Sequence, residues 1–180
     1  MTARTGAGLL IAVDGVNGTR VRATADRELK KIGRKQRAGV SVWDASGVFG
    51  DLMVAGHEAG KPSARTLLLL YAADLAFRLR WEIRPALAEG RAVAAAPYVA
   101  TAVAFGRAAG LPAGWLKNLF AFATRPDVAR FVDSAPARKP RPDCFVDFAS
   151  GHLAANSRLP TRRELTDRAL ALLKAQRPLL

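Results

Sequence analysis

The stretch Leu9-Leu-Ile-Ala-Val-Asp-Gly-Val-Asn-Gly18 decides how this chain is read. Residues 9–13 are a continuous apolar run, the pattern of a strand buried on both faces. Asp14 ends the run, and Gly15 and Gly18 bracket a turn. Beyond it Val21, Ala25, Leu29 and Ile32 recur at helical spacing, with Gly33 where a helix C-cap belongs. The alternation continues outward. Residues 40–43 and 92–96 read as a second and third strand. Residues 63–89 read as a long helical segment opened by Pro62 and Ser63, split at Pro85 and stopped by Gly90. Helices over 99–109 and 112–123 lead to a fourth strand at 128–133, and a weak fifth strand falls at 152–155. Thr161-Arg-Arg-Glu164 is a capping box for a last helix. Strands alternating with helices predict an α/β fold, a parallel five-stranded sheet flanked by helices, in one domain over residues 1–180.

The composition is globular: 180 residues, 50% hydrophobic and 24% charged. Cys144 stands alone, which excludes a disulfide framework, a zinc ribbon or a Cys-pair redox motif and points to a reducing cytoplasm. The first apolar run breaks at Asp14, too short for a signal-peptide core. No stretch approaches the ~18 apolar residues of a membrane span, so no membrane partner is expected. Lys and Arg number 28 against 15 acids, a formal charge of +13. The excess sits in two blocks: residues 20–37 carry eight bases and two acids, and residues 138–180 carry nine and four. One reading is an anion-binding face for phosphates or nucleic acid. The other is a solvated surface in an arginine-rich chain, since no aromatic residue interleaves the first block as single-strand binding wants. The four leucines 67–70 span about 300° of a helix, so that helix is buried, shared with a second subunit, or both.

A buried strand, an acidic residue, a glycine turn and a helix is how phosphate-loop (P-loop) proteins begin. Such loops read GxxxxGK[ST]: backbone N–H groups wrap a phosphate, Lys reaches the terminal phosphates and Ser/Thr holds magnesium. Gly15-Val-Asn-Gly-Thr-Arg-Val-Arg22 occupies that span, and of the template only the first Gly matches. Arg20 stands for the second Gly, Val21 for the Lys and Arg22 for the Ser/Thr. The same residues read equally as a hairpin, because Asn17-Gly18 is a type I′ turn signal and residues 19–24 alternate as a strand would.

Residues 10–18 resemble the start of thymidylate kinases, where an apolar strand runs into Glu-Gly-x-Asp/Glu-Gly. Leu69-Leu-Tyr-Ala-Ala-Asp-Leu75 resembles that family's LLFAADR helix, and Ile83-Arg-Pro-Ala-Leu-Ala-Glu-Gly-Arg-Ala-Val93 its IRPALxxGxxV. Tyr98-Val-Ala-Thr-Ala-Val-Ala-Phe105 looks like its YxxSxxAYQ helix. Trp115-Leu through Phe122, Arg125-Pro-Asp-Val128 and Phe131-Val-Asp133 are similar to its WL…N…RPDLT…LD segment. The resemblance implies the P-loop nucleoside monophosphate kinase sheet of five parallel strands, and a homodimer through the helix of residues 63–82.

The departures from the family bear on chemistry. Phosphoryl transfer is catalysed by positioning and positive charge on the moving group, and those charges are missing. The P-loop Lys and magnesium ligand are replaced as above. The family's Asp-Arg-Tyr/His stands as Ala96-Pro-Tyr98, its Arg-Glu-Pro as Trp43-Asp-Ala45, its base-reading Arg as Leu75 and its closing Gln as Gly106. Only residues 134–151 are available for its lid, so the lid region is largely deleted. The resemblance offers Asp14, Gly15, Asn17, Gly18, Thr19, Arg20 and Arg22 for phosphates, Tyr71 and Tyr98 for a base, and Arg138, Lys139 and Arg141 as a short basic lid. His57 and His152 lie in unrelated segments, no metal site is expected, and Cys144 reads as structural. The expectation is therefore a thymidylate-kinase-like protein that is catalytically inactive (pseudokinase-type) and binds a nucleotide, another polyanion or a partner. The alternative is an active dTMP or nucleoside monophosphate kinase with a divergent loop using Arg20 or Arg22; ATP and Mg²⁺ are implied only in that case. A third reading is a nucleic-acid-associated protein whose two basic blocks form one face.

Overall fold

The computed structural model describes residues 8–136, 144–153 and 161–175. Four parallel strands, β1 (Leu9–Asp14), β2 (Arg37–Val42), β3 (Ala92–Ala96) and β4 (Val128–Phe131), form one sheet in the order β2-β3-β1-β4. The helices are α1 (Gly18–Lys30), α2 (Val48–Ala59), α3 (Ala64–Arg78), α4 (Arg84–Ala88), α5 (Val99–Ala108), α6 (Ala113–Leu119), α7 (Phe145–His152) and α8 (Arg162–Ala175). A 3-10 turn over Arg34–Gln36 precedes β2, and a π turn over Leu79–Ile83 joins α3 to α4.

Strand β1 is central, and its alternation feeds two cores. Ile11 and Val13 pack with Val21, Ala25 and Leu29 of α1 on one face of the sheet. Leu10 and Ala12 face the larger core, shared by α3, α5, α7 and α8. Burying the Val21 and Leu29 side chains stabilises the α1 packing by roughly 1.5–3 kcal/mol each. At the other end of β1 the Asp127 carboxylate accepts the Leu10 amide at 2.8 Å, tying the start of β4 to the strand beside it.

The α/β architecture is as expected, with three corrections. The sheet has four strands among the described residues rather than five: His152 closes helix α7, and residues 154–155 lie outside the described residues. The hairpin reading of Asn17-Gly18 gives way to helix. Asn17 keeps negative φ (−103°), and its side chain accepts the Arg20 amide as the N-cap of α1. A type I′ turn needs positive φ at both central residues. Gly33 has φ −55° and precedes the 3-10 turn, so it is not the left-handed cap of α1. Elsewhere Ser63 caps α3 and Pro85 opens α4. Gly90 (φ +70°) ends α4 in a conformation that favours glycine. The capping box also forms: the Thr161 amide donates to Glu164 Oε2 at 2.7 Å, and the Glu164 amide to Thr161 Oγ1 at 3.3 Å. No helix among the described residues is long and apolar enough to cross a membrane.

Candidate functional site

The candidate site lies at the carboxyl ends of β1, β3 and β2, where α/β sheets place their ligands. The span Gly15–Arg22 divides there into a three-residue turn, Gly15 to Asn17, and the first turns of α1. Asp14 is buried, and one oxygen, Oδ1, accepts three hydrogen bonds. These come from the Tyr98 amide (2.9 Å), the Thr101 amide (2.9 Å) and the Thr101 hydroxyl (2.7 Å). The Gly15 amide donates to the same hydroxyl at 3.0 Å. Asp14 thus caps α5 from a distant strand and pins the turn to it. Burial pushes the Asp14 carboxyl above its ordinary value, against the pull of the Thr101 and Tyr98 donors.

Gly15 and Gly18 are required by close approach. A Cβ on Gly15 would stand 3.0 Å from Val132 and from Val21, and one on Gly18 would stand 2.7 Å from the Cβ of Cys144. The Cys144 thiol points to the carbonyl of Val16 (3.6 Å) and rests over the N-terminus of α1. Burial pushes that thiol up, which disfavours a thiolate nucleophile. Asn17 also donates through Nδ2 to the carbonyl of Ala135 at 2.8 Å. Thr19, Arg20 and Arg22 are exposed. Arg22 pairs with Asp26 at 3.5 Å. Thr19 and Arg22 form one wall of a cleft of about 280 Å³ whose other walls are Val42, Trp43, Ala96, Pro97, Thr101, Cys144, Phe145 and Val146. The walls are mainly apolar, and Trp43 Nε1 is buried with no hydrogen-bond partner among the described residues.

The two tyrosines come together, but inside the core. Tyr71 is 0% exposed and donates its hydroxyl to the carbonyl of Tyr98 at 2.7 Å; Tyr98 donates to the carbonyl of Thr124 at 2.6 Å. The Tyr71 ring lies 4.4 Å from that of Phe145. Burial raises both phenols, that of Tyr98 to about 12. Gly106 is closed by packing, since a Cβ there would meet Leu68 at 2.5 Å and Leu116 at 2.7 Å. Arg138, Lys139 and Arg141 lie outside the described residues.

Sequence reasoning missed the strongest electrostatic feature nearby. Arg78 is 0% exposed; its Nε donates to Ser41 Oγ (3.0 Å) and its Nη2 to the carbonyl of Pro97 (2.8 Å), so it bridges the ends of β2 and β3. Its Nη1 faces Asp74 Oδ2 at 3.6 Å, and Asp74 Oδ1 accepts the Ser46 amide at 2.9 Å. The available signal was spacing: Asp74 and Arg78 are i, i+4 on the line of Leu67, Tyr71 and Leu75, which is buried. Phe145 and Thr101 were also missed. Among the described residues no three His, Cys, Asp or Glu side chains gather as metal ligands. At the position of the magnesium-binding Ser/Thr stands Arg22, a group that cannot ligate a cation. The donor set does not fit Mg²⁺.

No family model matches the chain. The thymidylate kinase of Xanthomonas oryzae pv. oryzae is 35% identical over 132 residues, 72% of this chain and 57% of that protein. The probable thymidylate kinase 2 of Saccharolobus solfataricus is 26% identical over 129 residues, 72% of this chain and 61% of the relative. The chain therefore spans little more than half the length of these relatives. Among solved structures it is similar to the thymidylate kinase of Ehrlichia chaffeensis, with a TM-score of 0.62 and 13% identity, covering 95% of this chain and 89% of that one.

Proposed function

The chain belongs to the thymidylate kinase family, and on that premise we propose that it has given up phosphoryl transfer and serves, as one cytoplasmic domain, as a nucleotide- or polyanion-binding or interaction module. The observation that carries this reading is the state of the phosphate-loop span. Helix begins at Gly18, which leaves three residues of turn, and Cys144 packs onto the glycine at the helix N-terminus. Val21, at the Lys position, is 1% exposed in the core of the sheet face. Losing one positioned transition-state donor costs roughly a hundredfold or more in rate, and here the loop Lys, the metal ligand and two strand-end cations are lost together. The buried, unpaired Cys144 supports the cytoplasmic setting. The alternative, an active dTMP or nucleoside monophosphate kinase, draws on Arg22 and Thr19 lining the cleft.

The deciding experiment is an ADP-release assay with ATP, Mg²⁺ and dTMP. The expected result is no turnover above background. Turnover requiring both Mg²⁺ and dTMP, and lost in Arg22→Gln, would establish the alternative.

The same reading makes α3 and its π turn a homodimer face. Leu69 (50% exposed), Phe77 (40%) and Trp81 (62%) lie along one exposed line with Ala73 between them. Phe77→Asp with Trp81→Asp is expected to convert a dimer to a monomer in sedimentation and to abolish the concentration dependence of the melting temperature that dimerisation confers by mass action. A monomeric parent protein would remove the dimer.

A further inference from the structure

We infer that the outer face of α1 docks the phosphodiester backbone of duplex nucleic acid. Arg20, Ala23, Arg27 and Lys30 recur at i, i+3, i+7 and i+10, on the line of α1 opposite the buried Val21, Ala25 and Leu29. Arg34 and Lys35 follow α1 in the 3-10 turn and add two more exposed bases at its C-terminal end. All five basic side chains are exposed, and none has a carboxylate partner among the described residues. Their neighbours Arg22 and Lys31 are neutralised by Asp26 and Glu28. Among the described residues α1 is the only helix packed on this face of the sheet.

The partner follows from charge and from what the face lacks. A 13-residue helix spans roughly 20 Å, along which duplex DNA presents one negative charge per ~1.7 Å. Ala23 between the arginines lets the helix approach a surface closely. The exposed large apolar residues Val54, Leu69, Phe77, Trp81 and Phe122 all lie on other elements. The face therefore has no ring on which to stack unpaired bases and no apolar group to insert into a bilayer. The described part of the second basic block, on α8, does not join it: Leu165, Ala169 and Leu173 pack in the core on the opposite side of the sheet. The other bases of that block lie outside the described residues, so among the described residues the surface is that of α1 and the turn after it.

The test is titration of the full chain with a labelled mixed-sequence DNA duplex of about 20 base pairs, between roughly 50 and 300 mM NaCl. The expected plot of log affinity against log salt has a slope of about −4, from four to five phosphate contacts at about 0.9 each. Arg20→Gln with Arg27→Gln and Lys30→Gln should reduce the slope by about 2.7 and weaken binding at least ~30-fold near 100 mM. The control Arg107→Gln with Arg163→Gln and Arg168→Gln removes three charges from the other side and should change affinity less than about threefold. Arg27→Gln alone should take about 0.9 from the slope, which keeps the test sound should the triple variant fold poorly. Absence of duplex binding at the lowest salt overturns the inference, as do equal losses in the two triple variants or tighter binding to phosphatidylserine vesicles than to duplex. The outcome of the ADP assay has no bearing on this one.

Discussion

Arg78→Met is expected to lower the unfolding free energy by about 3–5 kcal/mol, because removing one partner of a buried ion pair leaves the other charge uncompensated. The guanidinium is fully enclosed and donates to Ser41 and to the carbonyl of Pro97, so its loss also orphans acceptors at the ends of two strands. The pH dependence separates charge from packing. Burial pushes the Asp74 carboxyl above its ordinary value, with the Ser46 amide and the charge of Arg78 pulling the other way. A carboxyl raised in the folded state contributes stability that is full at acid pH and is lost as pH rises through the raised value. Without Arg78 that loss deepens, so the deficit of Arg78→Met should grow between about pH 4 and about pH 7.5. Urea unfolding at the two pH values measures it, and an equal deficit at both would assign the loss to packing alone. Adding Asp74→Asn removes the stranded charge but keeps a carbonyl for the Ser46 amide, and should recover at least about 1 kcal/mol at the higher pH.

This pair marks the limit of what local pattern reveals. β3 stands where it is expected, over Ala92–Ala96, because an uninterrupted apolar run has no other place than the middle of a sheet. The last helix is announced by its capping box. Helix α2 carries no such signal: its cap position is Gly47 in the left-handed region (φ +75°). The amides of Phe49 and Gly50 are instead taken by the Asp44 carboxylate, which lies upstream of the helix. Arg78 is harder still. An arginine one turn from an aspartate reads as a solvated surface pair, and only the tertiary position of Ser41 and Pro97 makes it a core residue. In the site, contiguity alone assembled Asp14, Gly15, Asn17 and Gly18. What closes over them, Cys144 and Phe145, comes from more than 120 residues away, in the stretch left for the lid, where no helix is expected. Sequence can say which catalytic groups are missing. It cannot say what fills the space they leave.

Phe145→Ala addresses that space directly and is expected to cost about 3–5 kcal/mol, the range for emptying a buried aromatic position. The ring is 1% exposed and meets Tyr71 at 4.4 Å, Phe105 at 5.4 Å, Trp43 at 5.8 Å and Phe49 at 6.0 Å. It joins α7 to α2, α3 and α5, and it forms part of the cleft wall beside α1. A loss below about 1 kcal/mol would mean that α7 does not hold this cluster together. The variant also probes the proposed function. If Phe145 keeps ligands from the face of Tyr71, truncation opens that face to the cleft. The variant should then show a thermal shift with dTMP that the parent protein lacks, since a ligand that binds only the folded state stabilises it by mass action. A parent protein already stabilised by dTMP would mean that the ring excludes nothing. A destabilised variant that remains indifferent to dTMP would mean that removing the ring does not restore a nucleotide site. The stability loss and the ligand response thus test two separate roles of one side chain, as a tie between four helices and as the occupant of the cleft.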